Sequence, residues 1–258
     1  MSEAAHRCQE RIVELYGPAP VGEAGVLQGL ALWKDPSGPP RILRIDENAP
    51  GSETDRFVLH LARARADAIV TSGSILRAEP DLSHEIGHGT PMQRELDAWR
   101  REVRGHDNPP LSLVLTRGEN LDLAHPFFRG RAPRIIYTGE DAAKTLQGPA
   151  GERGVRVVGR PEPSLRDAIA WLRTEAGAQS VTLEVGANAS RALYREPLGV
   201  DELLLSLYEE TALDEAHRGD AFLEFEEIGR LLPTASPRVL RHEASGTWSF
   251  RRFRRNPG

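Results

Sequence analysis

Two stretches decide the fold: ARARADAIVTSGSILRAEPDL at residues 62–82 and VTLEVGANASRALYREPLGVDELLLSL at residues 181–207. Each reads as a helix and a strand meeting at a turn of small residues, with a charged side chain close by. A strand that ends in Gly or Ala lets the backbone approach a phosphate, and a helix that starts there aims free N–H groups at it. The pattern therefore suits a nucleotide.

Outward from these stretches, residues 53–66 place Phe57, Val58, Leu61 and Ala62 at helical spacing behind Ser52 as N-cap. Ala68-Ile69-Val70 follows as a short apolar run, so the order is helix and then buried strand. Similar runs at 111–115 (LSLVL), 134–137 (RIIY) and 154–158 (GVRVV) each end in Gly, Pro or charged turns. A second helix starts at Ser164, with Leu165, Ala168, Ile169 and Leu172 on one face and Asp167 in the capping-box position, and it leads into a strand at 180–184. A helix near 187–196, a strand at 202–208 and alternating runs at 237–243 and 247–253 complete the order. Strands interleaved with helices predict an α/β fold of three layers, a mainly parallel sheet with helices on both faces and an antiparallel C-terminal hairpin. Residues 83–110, with a polar helix at 92–103, read as an excursion between strands. Residues 1–44 read as the first helix and strand of the same domain, whose main body is 45–258, and no internal repeat is visible.

With 39% hydrophobic and 28% charged residues, the chain has apolar material for a buried sheet and is not a disordered composition. A net charge of -5 gives no nucleic-acid footprint. The local exception, Arg251, Arg252, Arg254 and Arg255, reads as a solvated edge strand and tail. The single cysteine, Cys8, excludes an internal disulfide and a cysteine-based zinc site. The opening MSEAAHRCQERIVELYG lacks the apolar core of a signal peptide and no run approaches a membrane span, so a cytoplasmic location without membrane partners is expected.

From about residue 45 onward the chain resembles the reductase domain of riboflavin biosynthesis, the RibD C-terminal type, a branch of the dihydrofolate-reductase-like fold. Three stretches carry the resemblance: Ala62 to Ile69 as the helix-to-strand junction, Glu184-Val185-Gly186-Ala187 as the acidic-Gly turn, and Leu198 to Leu203 as the entry to the next strand. The resemblance implies NADPH as cofactor, a small-molecule substrate and a homodimer. It implies substrate contacts at Arg63, Leu82 and Glu184. It places hydroxyls on the cofactor at Thr71 and Ser74, and the dinucleotide-phosphate turn at Gly186, Ala187 and Asn188. Thr116 and Arg117 fall on the adenosine side, where an arginine suits a 2′-phosphate. For the general acid it singles out no residue, and Glu79 and Lys34 are the candidates. The reaction implied is hydride transfer to a C=N or C=O carbon of a pyrimidine, pterin or sugar-derived molecule.

The chain also departs from that family. Val185 stands where a small residue is usual, Ala78 where an acidic one is common, residues 209–213 replace a Pro and Gly turn, and residues 34–38 only echo the substrate-strand motif. These departures leave open a nucleotide-binding dimer that has lost catalysis. No Pro-Cys-x-x-Cys occurs, so the zinc-deaminase half that often accompanies such reductases is not expected.

His84-Glu85-Ile86-Gly87-His88 spells H-E-x-x-H, a zinc-protease pattern that works when both histidines project from one helical face. Here Pro80 precedes it and Gly87, Gly89 and Pro91 crowd its end, so a continuous helix is disfavoured. The metalloprotease is therefore the lesser alternative, and no metal is expected. Metal analysis of the purified protein should find no stoichiometric zinc; about one zinc per chain, lost on replacing His84 and His88, would overturn the reductase reading.

Overall fold

Amphipathic helices and apolar β-branched runs alternate along the chain, and the computed structural model, which describes residues 1–19, 24–44, 48–86 and 89–256, joins the strands into one twelve-stranded sheet. Helix α1 (Glu3–Tyr16) starts where the Ser2 hydroxyl accepts the Ala5 N–H. Strands β1 (Gly25–Trp33) and β2 (Arg41–Leu43) follow. Helix α2 (Glu53–Arg65) is capped by Ser52 as its spacing predicts, and leads to β3 (Ala68–Ser72) and the short α3 (Gly73–Ala78). Helix α4 (Pro91–Glu102) opens with a Thr90/Gln93 capping box and Pro91 in its first turn, where a missing N–H costs nothing. Then come β4 (Leu111–Leu115), β5 (Arg134–Gly139), α5 (Glu140–Gly151), β6 (Arg156–Arg160), α6 (Leu165–Thr174) and β7 (Ser180–Glu184). The chain continues through α7 (Ala187–Ser190), β8 (Glu202–Tyr208), β9 (Arg218–Ala221) and α8 (Phe225–Leu231). It ends with β10 (Thr234–Ala235), β11 (Val239–Glu243) and β12 (Gly246–Arg254).

The strand order is β10-β12-β8-β1-β7-β3-β4-β5-β6, with β8 through β6 all parallel. The last strands turn antiparallel, β12 against β8 and β11 against β12, as the alternating runs predict. Strand β1, from the Gly- and Pro-rich N-terminal region, lies between β8 and β7 near the middle of the sheet. One face is covered by α6 and α8, which bury Ile169, Leu172 and Ile228 against Val70, Leu183 and Leu205. On the other face α1, α2 and α4 pack Ile12, Phe57, Leu61 and Trp99 against Leu27 and Leu204. The central strands are buried on both faces, and β8 is buried at every residue. No helix among the described residues is long and apolar enough to cross a membrane.

Several expectations need correction. The helix near 187–196 is only four residues of α-helix, followed by a 3-10 turn at Arg191–Tyr194, because the residue before Pro197 is disfavoured in helical conformation. The run at 154–158 becomes strand only at Arg156, since Gly154 and Val155 bond back to Gly151 and Ala150 in the turn leaving α5. Ser164 caps α6 by accepting from the Asp167 N–H, but the Asp167 carboxylate accepts from the Tyr137 hydroxyl. The basic C-terminal run is solvated at Arg251 and Arg255, but its strand is not an edge: β12 lies between β8 and β10, and Arg252 is 2% exposed.

Arg252 belongs to a buried triad at the amino-terminal edge of the sheet. Its Nε donates to Glu202 Oε1 at 2.5 Å, and Arg65 Nη1 donates to Glu202 Oε2 at 3.2 Å. Arg65 Nη2 also donates to the Gly25 carbonyl at 3.2 Å, so the triad joins α2, β1, β8 and β12. Removing the shared carboxylate takes the counter-charge from the buried Arg65 guanidinium and one ion pair from Arg252. Glu202→Ala should destabilise the fold by about 3–5 kcal/mol, read as a lower urea midpoint, and an unchanged midpoint would place these arginines in contact with water.

Candidate functional site

Parallel pairing sets the carboxyl ends of β3, β4 and β7 side by side, and register makes Thr71 the neighbour of both Glu184 and Val114. Thr71 and Glu184 therefore share the face under α2. The Thr182 hydroxyl donates to the Ala62 carbonyl at 2.7 Å, which holds the end of α2 over β7 and brings the next residue, Arg63, to the strand end. Arg63 Nε and Nη2 donate to the two Glu184 oxygens at 2.6 and 2.7 Å, a bidentate geometry, and Nη1 donates to the Ser83 carbonyl at 3.3 Å. His84 Nε2 lies 3.4 Å from Glu184 Oε2, and its fully buried ring meets Phe127 edge-on at a centroid distance of 5.1 Å.

Electrostatics follow from this packing. Burial by itself would raise the Glu184 carboxyl, but the Arg63 guanidinium and then the His84 imidazole outweigh it and hold the group well below the usual carboxylate range. Burial lowers His84, and Glu184 only partly opposes it, so the imidazole tends to be neutral. Glu79, the exposed C-cap of α3, moves the other way, raised first by partial desolvation of its carboxyl and then by the Glu184 charge, with Arg63 opposing.

The remaining candidates divide by position. Thr71 is fully buried and its Oγ1 has no hydrogen-bond partner. Ser74 Oγ lies 2.8 Å from Ser72 Oγ, which caps α3. Thr116 accepts the Gly118 N–H at 3.1 Å and packs under Gly73, where a Cβ would come within 2.7 Å of Thr116 Oγ1, so only glycine fits that junction. Arg117 is exposed just past β4. At Gly186 a Cβ would meet nothing within 4 Å, and the residue's carbonyl accepts from the Ala189 and Ser190 N–H groups at 3.0 and 3.1 Å. Ala187 opens α7, and Asn188 Nδ2 donates to Asp220 Oδ2 at 2.9 Å, tying α7 to β9.

Leu82 is buried in a cluster with Leu76, Val114, Phe127 and Phe128, which adjoins the group through Val114 beside Thr71 and Phe127 against His84. Lys34 follows β1 on the opposite face, paired with Glu209 at 3.4 Å, and strand rise alone carries it roughly 15 Å beyond the level of Glu184. Residues 82–85 form no helix, and the imidazole of His84 faces Glu184; His88 lies outside the described residues. Sequence reading singled out His84 only within H-E-x-x-H and missed its place beside Glu184. Nothing local signals that contact, because it depends on the loop after α3 folding back over β7.

Replacing Arg63 tests the pair. A carboxyl whose folded pKa is depressed contributes stability that is present above its unfolded value, about 4.3, and is lost as pH falls toward the folded value. Arg63→Met should therefore raise the Glu184 pKa, followed by carboxyl carbon NMR. It should also destabilise by about 3–5 kcal/mol at neutral pH, with the deficit shrinking below roughly pH 4. A Glu184 pKa that does not move would separate the two residues.

The RibD C-terminal domain profile matches residues 44–208. A pyrimidine reductase-like protein from Corynebacterium diphtheriae superimposes with a TM-score of 0.66 at 18% identity, covering 96% of this chain and 99% of that one. The riboflavin biosynthesis reductase of Saccharomyces cerevisiae gives 0.56 at 14% identity, over 96% and 98% of the two chains. RibD of Acinetobacter baumannii gives 0.57 at 17% identity over 92% of this chain, which spans only 59% of that longer protein. No curated protein matches by sequence. At these identities the superpositions establish a shared fold, that of the RibD reductases, which is dihydrofolate-reductase-like. The profile match runs over well more than half of the sequence, and the chain belongs to the RibD C-terminal domain family.

Proposed function

We propose that the protein is an NADPH-dependent reductase that transfers a hydride to a C=N or C=O carbon of a pyrimidine, pterin or sugar-derived molecule. The observation that carries this reading is the buried, partnerless Thr71 hydroxyl beside the Arg63–Glu184 pair at the carboxyl ends of β3 and β7. A buried hydroxyl without a partner costs about 1–3 kcal/mol, and a bound group offering a polar atom there removes that cost. The open space at Gly186 and the exposed guanidinium of Arg117 fit the phosphates of a dinucleotide. When bound, NADPH supplies the hydride, while the protein orients it and excludes water.

In this proposal Arg117 pairs with the 2′-phosphate, and Arg63 with Glu184 orients the substrate. The Glu79 carboxyl, raised by desolvation and by Glu184, retains a proton to a higher pH than an ordinary carboxylate and delivers it to a substrate nitrogen. The reductases it resembles make a pyrimidine the first substrate class to test. A homodimer and a cytoplasmic location belong to the same proposal, the first checked by light scattering. One observation favours the second reading, a nucleotide-binding protein without turnover: both Glu184 oxygens already face Arg63 and His84, which leaves less of the pair free for a substrate.

Cofactor titration separates these readings from none. A charge-assisted contact contributes about 1.5–3 kcal/mol, a roughly tenfold to 150-fold preference for NADPH over NADH, which Arg117→Glu should erase while changing NADH affinity far less. Gly186→Val should abolish NADPH binding in a folded protein, since the added side chain would fill open space and touch no neighbour. Unaltered affinity in both variants would remove the cofactor from this edge. Binding without NADPH oxidation in the presence of pyrimidine, pterin or sugar substrates would favour the second reading.

A further inference from the structure

The opposite, amino-terminal edge of the sheet carries a second polar constellation, independent of the cofactor reading. Asp67, just ahead of β3, accepts through Oδ2 from the Gln179 and Ser180 N–H groups at 2.9 and 2.8 Å and from the Ser180 hydroxyl at 2.9 Å. Its Oδ1 lies 3.4 Å from His106 Nε2. Beside this pair is a cavity of about 420 Å³ walled by Asp67, Arg104, His106, Gln179 and Ser180. A second cavity of about 290 Å³ shares Asp67 and His106 and reaches Arg100.

Several cationic side chains lie along this edge, and they differ in how they are partnered. Arg100 is committed to backbone carbonyls, those of Ala64 at 2.8 Å, Ala66 at 2.6 Å and Asn108 at 2.7 Å. Arg65 shares the Glu202 carboxylate with Arg252. Arg104 makes no side-chain hydrogen bond or ion pair among the described residues, and its Nε is shielded from solvent without a partner. Its charge bears on Arg65, Arg100 and His106 together. Asp67 is held by three neutral donors and by His106, and its charge opposes that of Arg104 at Arg100 and His106.

A buried donor without a partner and an uncompensated guanidinium in a roomy polar cavity are both relieved by an anion. The planar donor fork of Arg104 matches a tetrahedral oxyanion, and the neighbouring imidazole supplies a second cation when protonated. The walls are polar, so the ligand needs no apolar body. We propose that Arg104 and His106, with Gln179 at the rim, form a binding site for a phosphate-bearing small molecule at the edge of the sheet opposite Glu184.

Pyrophosphate is the probe, titrated into the full chain at low ionic strength by calorimetry and by the imidazole NMR signals. The expected result is saturable binding of about one pyrophosphate per chain that shifts the His106 resonance. Burial, Arg100 and Arg104 hold that imidazole below its ordinary pKa against the opposing Asp67, and a bound anion should raise it. Arg104→Met, checked for folding by its melting curve, should weaken binding roughly tenfold or more, whereas Arg117→Glu at the far edge should leave it unchanged. Should Arg104→Met fail to fold, His106→Gln at a half-exposed side chain takes its place and should weaken binding several-fold. No saturable binding at millimolar pyrophosphate overturns the proposal. So does binding that survives both variants, or that disappears in Arg117→Glu, which would assign the anion to the cofactor edge.

Discussion

Six consecutive parallel pairings, from β8 through β1, β7, β3, β4 and β5 to β6, send every carboxyl end to one edge of the sheet and every amino end to the other. Helices cover both faces, so the strand interiors are mainly apolar, with Gln28, Thr182 and Ser206 as buried polar exceptions, and titratable side chains gather at the two edges. The carboxyl edge holds Thr71, Thr116 and Glu184 near the N-terminal turns of α3 and α7. The amino edge holds the aspartates that fasten strands to one another: Asp67 binds the start of β7, and Asp201 accepts the Val26 N–H of β1 at 2.8 Å.

Helix α2 ties the two edges together. Residues two apart on a helix project in widely different directions, and Arg63 and Arg65 use that difference. Arg63 reaches Glu184 at the carboxyl end of β7, whereas Arg65 reaches Glu202 at the amino end of β8. Burying these charges costs desolvation that the pairing offsets, so neither pair is strong evidence for net stability. Their consequence is geometric, since a helix shifted or rotated by one residue would strand both guanidiniums without partners. The same register that orients α2 therefore builds the candidate site.

The Arg63–Glu184–His84 contacts also shape the chemistry available. A carboxylate held ionised by two partners serves as a fixed negative point, unsuited to giving up a proton, while Glu79 nearby retains its proton more readily.

By itself, the sequence determined the alternation of helix and strand, because periodicity, the Ser52 and Ser164 caps and the short apolar runs are local signals whose physics does not depend on distant residues. The resemblance to the RibD C-terminal family, carried by the segments around Arg63, Glu184 and Gly186, also pointed to these residues. Only the tertiary structure decided the rest. The central place of β1 was illegible because its GVLQGLALW run is broken by glycines, and what buries it are β8 and β7, which come far later in the chain. Helix α5, with Gly148 and Pro149 inside it, was hidden for the related reason that packing against β6 overrides weak propensity. The burial of Arg252 and the meeting of His84 with Glu184 likewise depend on contacts 50 and about 100 residues apart, which no local pattern encodes.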